Sequence, residues 1–240
     1  MKINTIENAD CVKAMKKCLD DESIDMIIAD PPYVISRPSQ LGTMPDRKKP
    51  RTGTFFGDWD KDFDNKKWLN QAGRVLKKGG SLIVFNDVKK ISIIIKQAEA
   101  AGLVYKDTII WHKTNPMPRN IKRRYVSDIE VAIWFVKPGK KWTFNCINSP
   151  YMSCIKKCSV ESGGGFKRIH PTQKPLKLIT SFILTHTEEN DIVLDPFMGS
   201  GTTALACLEN RRRYVGFEID KEYYESSLIR IKEYGNDKKV

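Results

Sequence analysis

The sequence predicts an α/β protein built on a doubly wound, mostly parallel sheet. Three observations carry the prediction. Short apolar runs of strand length, 23–29, 81–85 and 192–195, are separated by segments of helical period, the pattern of parallel strands covered on both faces. Residues 192–218 read as strand, glycine-bearing turn, helix, strand and acid, a unit suited to binding a nucleotide. A length of 240 residues suffices for one sizeable core with a small insertion but not for two full domains.

Taken in order, residues 2–7 read as a strand leading to Asp10, at a strand-to-helix junction where an aspartate serves as N-cap. Val12, Met15 and Leu19 mark one face of the helix that follows. The apolar run 23–29 ends in Asp30-Pro31-Pro32-Tyr33, where consecutive prolines force the backbone out of the sheet. Val34 to Asp62 shows no period and carries Arg37, Arg47, Lys48, Lys49 and Arg51 among prolines and glycines, so it reads as a basic lid beside that turn. A helix is expected from Trp68 to Leu76, closed by Lys77-Lys78-Gly79-Gly80 as its C-cap, then a strand over 81–85. Ile91, Ile94, Ile95 and Ala98 set the inward face of the next helix, stopped at Gly102. Strands at 104–112 and 129–136 bracket a proline-punctuated loop from Lys113 to Asn120. Residues 137–168 look least regular, with lysines interleaved among Trp142, Phe144, Tyr151 and Phe166. His170 to Pro175 leads into a helix carrying Leu176, Ile179, Ile183 and Leu184. Asp195 then ends a strand, Pro196 to Gly201 form the turn, Thr202 opens a helix, and a last strand ends near Glu218.

Two of these stretches carry chemistry. Asp30-Pro31-Pro32-Tyr33 offers a carboxylate, a backbone carbonyl no strand neighbour claims, and a flat aromatic face, which together suit a planar amino group on an aromatic base. In the 195–218 unit, glycines admit a ligand close to the backbone and Glu218 can accept from ribose hydroxyls. No Gly-Lys-Ser/Thr follows Gly201, which argues against a triphosphate.

Charge points to the partner. The net charge is +12, and 14 basic against 3 acidic residues lie between Lys113 and Lys177, so nearly all the excess sits in one segment, as expected for a polyanion. No apolar run approaches the roughly 18 residues of a membrane span, and the first residues lack a signal-peptide core, so a soluble, intracellular protein is expected. Six scattered cysteines do not form a disulfide framework. Cys146, Cys154, Cys158 and His170 lack a C-x2-C pair, and no metal is expected.

The segment Asp195-Pro196-Phe197-Met198-Gly199-Ser200-Gly201-Thr202-Thr203, coming after Asp30-Pro31-Pro32-Tyr33, resembles the beta class of S-adenosylmethionine-dependent DNA amino-methyltransferases. Residues 74–81, 111–118 and 170–175 resemble that family's intermediate motifs in the same order. The resemblance implies a circularly permuted Rossmann-like methyltransferase sheet, in one domain over 1–240, with the catalytic half first, an inserted target-recognition region at 119–168, and the cofactor half last. Carried over by position, Asp30 and the Pro31 carbonyl would bind the target amino group, with Pro32 completing the turn and Tyr33 stacking on the base. Glu218 would hold the cofactor ribose, Asp10 would approach its adenine, and Asp195, Phe197, Gly199, Ser200, Gly201 and Thr202 would surround the rest. Thr172 and Lys174 would close the cofactor pocket. Arg37, Arg47, Lys48, Lys49, Arg51, Arg119, Lys122, Arg123 and Arg124 are the expected DNA contacts.

The function so implied is site-specific methylation of N6 of an adenine flipped out of double-stranded DNA, with S-adenosylmethionine as donor. Cytosine-N4 methylation and RNA adenine methylation are the alternatives within the class. The first Asp of the tetrapeptide favours adenine, since N4 enzymes of the family more often carry Ser there. Outside the class, the alternative is a catalytically silent nucleic-acid-binding partner. The expected setting is the cytoplasm of a bacterium or a phage host, near the nucleoid, as a monomer or homodimer, with a cognate restriction endonuclease as a companion the family allows.

Overall fold

The computed structural model describes residues 1–33, 63–118, 121–123, 125–146, 150–161 and 173–237. The described chain runs β1 (Thr5–Asn8), α1 (Cys11–Cys18), β2 (Ile24–Ala29), α2 (Asn65–Val75), β3 (Leu76–Asn86), a 3-10 turn (Val88–Lys90), α3 (Ile91–Ala100), β4 (Val104–Lys113), β5 (Ile129–Val136), β6 (Ile155–Cys158), α4 (Leu176–His186), β7 (Ile192–Asp195), α5 (Thr202–Glu209), β8 (Arg213–Glu218) and α6 (Lys221–Asp237). The strands form one eight-stranded sheet in the order β1-β8-β7-β2-β3-β5-β4-β6. All neighbours are parallel except β5, which runs against both β3 and β4.

Because the sheet is covered on both faces, its central strands read as continuous apolar runs rather than alternating ones. In β2, Ile24, Ile27 and Ala29 face a core shared with Met15, Trp68, Leu69 and Ile94, while Met26 and Ile28 face another shared with Ile179, Phe182, Ala204 and Cys207. The first core lies under α1, α2 and α3, the second under α4 and α5. Ile91, Ile94, Ile95 and Ala98 do mark the inward side of α3, with Ile94 and Ala98 fully buried. No described helix is long and apolar enough to cross a membrane.

The structure corrects the sequence reading in three places. The first strand is Thr5–Asn8, shifted from 2–7. The helix expected to end on Gly79 and Gly80 stops at Val75, with Leu76 already extended as its C-cap, and β3 begins there. The two glycines serve the sheet. Ile24 pairs with Leu76 but Met26 with Ser81, so β3 carries extra residues at that point. Gly79 takes φ +80°, and a Cβ on Gly80 would come within 2.7 Å of the Asp25 carbonyl; only glycine lets the irregular strand lie this close to its neighbour.

The third correction concerns 137–168, which is not wholly irregular. Residues 155–158 form β6, the edge strand, parallel to β4. Trp142 and Phe144 pack on Trp134 of β5, Phe144 stacking at 5.3 Å between centroids. These two aromatics remain 37 and 41 % exposed while packing on the sheet. His186 lies in the same cluster, and burial depresses its pKa to about 3, so the ring is neutral.

Trp68 ties the helical layer to the other half of the chain. It is fully buried, donates its Nε1–H to Asn65 Oδ1 at 2.9 Å, and meets Phe197 edge to face at 5.4 Å. Trp68→Ala should lower the unfolding free energy by about 3–5 kcal/mol, read as a drop in urea midpoint at unchanged slope. A decrease below about 1 kcal/mol would show that the site collapses around the gap.

Candidate active site

Between β7 and β2 the strand order reverses, with β8 and β1 continuing one way and β3 the other. Ligands in open α/β sheets bind outside the carboxyl ends of the strands at such a point. Here Met26 and Ile27 pair with Val193 and Leu194, so Asp30, which follows β2, and Asp195, which ends β7, lie at the carboxyl ends of adjacent strands. A cavity of about 290 Å³ opens there, lined by Asp30 to Tyr33 from one strand end and by Asp195, Phe197 to Ser200, Thr202, Thr203 and Glu218 from the others.

On the β2 side, Asp30 is engaged at both oxygens. The Tyr33 hydroxyl donates to Oδ1 at 2.7 Å, and the Lys174 ammonium donates to Oδ2 at 2.5 Å. Lys174, its side chain 8 % exposed, also lies 3.4 Å from Glu130 Oε2, and Glu130 pairs through Oε1 with Lys113 at 2.7 Å. Glu130 reaches this edge because β5 is reversed: Val131 pairs with Asn86, the last residue of β3. Burial pushes the Asp30 carboxyl up from the ordinary range while Lys174 pulls it back. Burial acts likewise on Glu130, but Lys174 and Lys113 outweigh it and hold that group low. Burial works against the Lys174 charge, and the two carboxylates more than offset it.

On the β7 side, the turn is held by two acids. Asp195 accepts from the Phe197 N–H at 2.9 Å and from the Thr203 hydroxyl at 2.5 Å; burial raises its pKa to about 7. Glu218, at the end of β8, accepts from the Gly199 N–H at 2.7 Å and the Asp220 N–H at 2.8 Å, and burial raises it too. Gly199 and Gly201 sit at φ +52° and +76°, the left-handed region that glycine enters without strain. Arg230 of α6, buried, braces the turn from behind through the Ser200 carbonyl and Thr202 Oγ1.

Among the described residues, four carboxylates, those of Asp30, Glu130, Asp195 and Glu218, face this cavity against one ammonium, Lys174. In a chain of net charge +12, that local excess of acid suits a cation and opposes a phosphate. A sulfonium-bearing adenosyl ligand fits: Glu218 keeps free lone pairs for ribose hydroxyls, and Phe197, Met198 and Ile219 supply apolar wall.

The other expected residues fall as follows. Asp10 caps α1 through the Lys13 N–H at 2.9 Å and is not among the residues lining the cavity, although it follows β1, which pairs with β8 at Asn8 and Glu218. Gly201 supports α5 from its N-cap position. Lys174, expected on the cofactor side, turns its ammonium to Asp30. Lys122 and Arg123 are exposed between β4 and β5. Thr172, Arg37, Arg47, Lys48, Lys49, Arg51, Arg119 and Arg124 lie outside the described residues, as does His170. Among the described residues no group of three or more His, Cys, Asp or Glu side chains gathers as a metal site. Sequence reasoning missed Glu130, whose only local signal was an acid inside a basic segment.

The chain matches the family model described as DNA methylase over residues 24–229. It is 31% identical over 258 residues to the Type II methyltransferase M.HinfI of Haemophilus influenzae, covering 96% of this chain and 69% of that protein. It is 32% identical over 241 residues to the Type II methyltransferase M2.DpnII of Streptococcus pneumoniae, covering 93% and 88%. Among solved structures, the M1.HpyAVI–SAM complex superposes with a TM-score of 0.74 at 37% identity, over 95% of this chain and 98% of that one. The cytosine-N4-specific PvuII DNA methyltransferase, at 18% identity, shares the fold with a TM-score of 0.75 over 98% and 91%. Motif order, cavity and relatives agree: the chain belongs to the DNA methylase family and is an S-adenosylmethionine-dependent DNA methyltransferase.

Proposed function

We propose that the protein methylates N6 of adenine in double-stranded DNA, at a base extruded into the cavity. The observation that carries this reading is the placement of Asp30, Pro31 and Tyr33 in the wall of the same cavity as the Glu218-held turn. An exocyclic amine is a poor nucleophile because its lone pair is delocalised into the ring. Asp30 and the Pro31 carbonyl, by accepting its two N–H groups, favour the pyramidal nitrogen that carries a localised lone pair. Tyr33, fixed by its bond to Asp30, offers an aromatic face to the base. S-adenosylmethionine supplies an electrophilic methyl group; Glu218 holds its ribose, and the 197–200 turn encloses its methionine part. Once the nitrogen carries the methyl it is strongly acidic, and its surplus proton passes to Asp30 and on to water.

Lys122 and Arg123 stand exposed on the segment between β4 and β5, and we assign them to the phosphate backbone. Neutralising both should lower the log–log salt slope of duplex binding by about 0.9 for each phosphate no longer paired with a cation. A slope equal to wild type would leave them a solvated face.

Two substitutions separate the halves of the site. Asp30→Asn keeps the volume and leaves Lys174 its Glu130 partner, so it should cut turnover by about 10²-fold or more with S-adenosylmethionine affinity nearly unchanged. Glu218→Ala should weaken the cofactor by about 1.5–3 kcal/mol, because the ribose acceptor is gone and the Gly199 N–H is freed. Calorimetry on both variants decides; a parallel fall in cofactor affinity in Asp30→Asn would put that acid on the wrong ligand.

The direct test incubates the protein with tritiated S-adenosylmethionine and, separately, duplex DNA, single-stranded DNA and total RNA, then digests each to nucleosides. Label is expected in N6-methyladenine from the duplex. Label in N4-methylcytosine would overturn the base assignment, and label confined to RNA would overturn the substrate.

A further inference from the structure

The arrangement around Asp30 sets a problem for amine binding. One carboxylate oxygen holds the Tyr33 hydroxyl and the other holds the Lys174 ammonium, so a third donor must share an oxygen or displace one of these. Lys174 is the donor with somewhere to go. Glu130 Oε2, buried and without a hydrogen-bond donor of its own, lies 3.4 Å from its Nζ. A charge-assisted bond closes at about 2.7–2.9 Å, so a shift well under 1 Å completes it. The backbone has little need to move. Gln173 is held by Glu161 at 2.5 Å, Glu161 also accepts from the Leu176 N–H at 2.8 Å, and Pro175 starts α4. The mobile part is the end of one lysine side chain.

Resting on the amine reading above, we propose that Lys174 and Glu130 are positioning residues for Asp30. Lys174 holds Asp30 as an oriented anion while the base is absent, and Glu130 draws the ammonium toward itself, loosening its hold on Oδ2, when the target amino group comes to share that oxygen. Three features support the division of labour. Glu130 is itself fixed by Lys113 at 2.7 Å, so it is a stable second anchor rather than a wandering acid. The two acids and two lysines balance, so the cluster as a whole keeps no net charge through the exchange. When Asp30 takes the surplus proton and becomes neutral, Lys174 still has a counter-ion. Neither role is that of a cofactor ligand, the part the sequence suggested for Lys174.

Lys174→Met and Glu130→Gln test the proposal through pH. The charges facing Asp30 are Lys174 and Glu130 directly, with Tyr33 on Oδ1, Lys113 behind Glu130, and Asp195 across the cavity; Asp87 acts on Tyr33. Removing the ammonium raises the Asp30 pKa, so in Lys174→Met the acidic limb of the rate profile should move to higher pH, with activity partly regained on raising the pH. Removing the Glu130 charge lowers it, so in Glu130→Gln the limb should move to lower pH. The plateau rate of that variant should still fall by about 10²-fold, because the ammonium is no longer drawn away from Oδ2. A purely structural role would lower the rate of both at every pH without moving either limb.

The same two variants, labelled with carbon-13 at aspartate carboxyls, report the Asp30 titration by NMR with no DNA present. Opposite displacements of the Asp30 midpoint are the expected result, and displacements in the same direction, or none, overturn the proposal even where the substrate assignment holds. Conversely, a wild-type enzyme that labels no adenine would sink the amine reading while the NMR titration still decides the pairing. Calorimetry with S-adenosylmethionine completes the test: a cofactor affinity that falls with the rate in Lys174→Met would return this lysine to the cofactor and refute the inference. Glu130→Gln, matched in volume, carries the test should Lys174→Met fail to fold.

Discussion

The pairing of β2 with β7 is the interaction on which the rest depends. It is short, two residue pairs in register, reinforced by the Ile192 N–H donating to Asp25 across 167 positions of sequence. Closing a loop of that length costs about 4–5 kcal/mol in chain entropy. Met26, Ile27, Val193 and Leu194, all fully buried, contribute about 1.5–3 kcal/mol each on leaving water, so the apolar burial outweighs the closure. Without it the tetrapeptide and the glycine turn would belong to separate halves, and there would be no cavity. Trp68 against Phe197 adds a second fastening between the same halves.

What could be read from the sequence was what local pattern controls. The central strands, β5 at its observed bounds, and the whole unit from β7 to β8 were legible because burial on both faces writes an unbroken apolar run, and because a glycine turn needs left-handed residues at fixed places. The tetrapeptide was legible because its residue types are unusual together. What failed depended on distant chain. Gly79 and Gly80 looked like a helix stop, and nothing nearby says that Asp25 and Lys141 press on them instead. β6 has four residues and two lysines, too short and too polar to announce a strand; it exists because β4 offers an edge. Lys174 and Glu130 are 44 residues apart and meet only through the fold.

The electrostatics run in opposite senses at two scales. The chain as a whole is basic, which suits a polyanion approaching from a distance. The cavity is acidic, which suits a cation at close range. At longer range the field is screened over about 8–10 Å in ordinary salt, whereas the buried acids act over hydrogen-bond distances in low dielectric. One molecule can therefore attract a phosphate backbone with its surface and refuse phosphate in its cavity. Burial raises Asp195 to a pKa of about 7, and an added cation beside it would favour its ionised form.

Among the described strands, β5 alone runs against its neighbours, and its direction decides which of its residues reaches the cavity. A parallel strand would bring its last residue to the cavity edge; the reversed strand brings its second residue, Glu130, so the chain that precedes the strand arrives from that side. That segment carries Lys122 and Arg123, which lie seven and six residues before Ile129, the first of the strand. It is joined through Asp128 and Ile129 to Glu130, the acid that pairs with Lys113 and neighbours Lys174. The exposed cations and the buried ion cluster are therefore close neighbours along the chain, on either side of Ile129, the first residue of the strand.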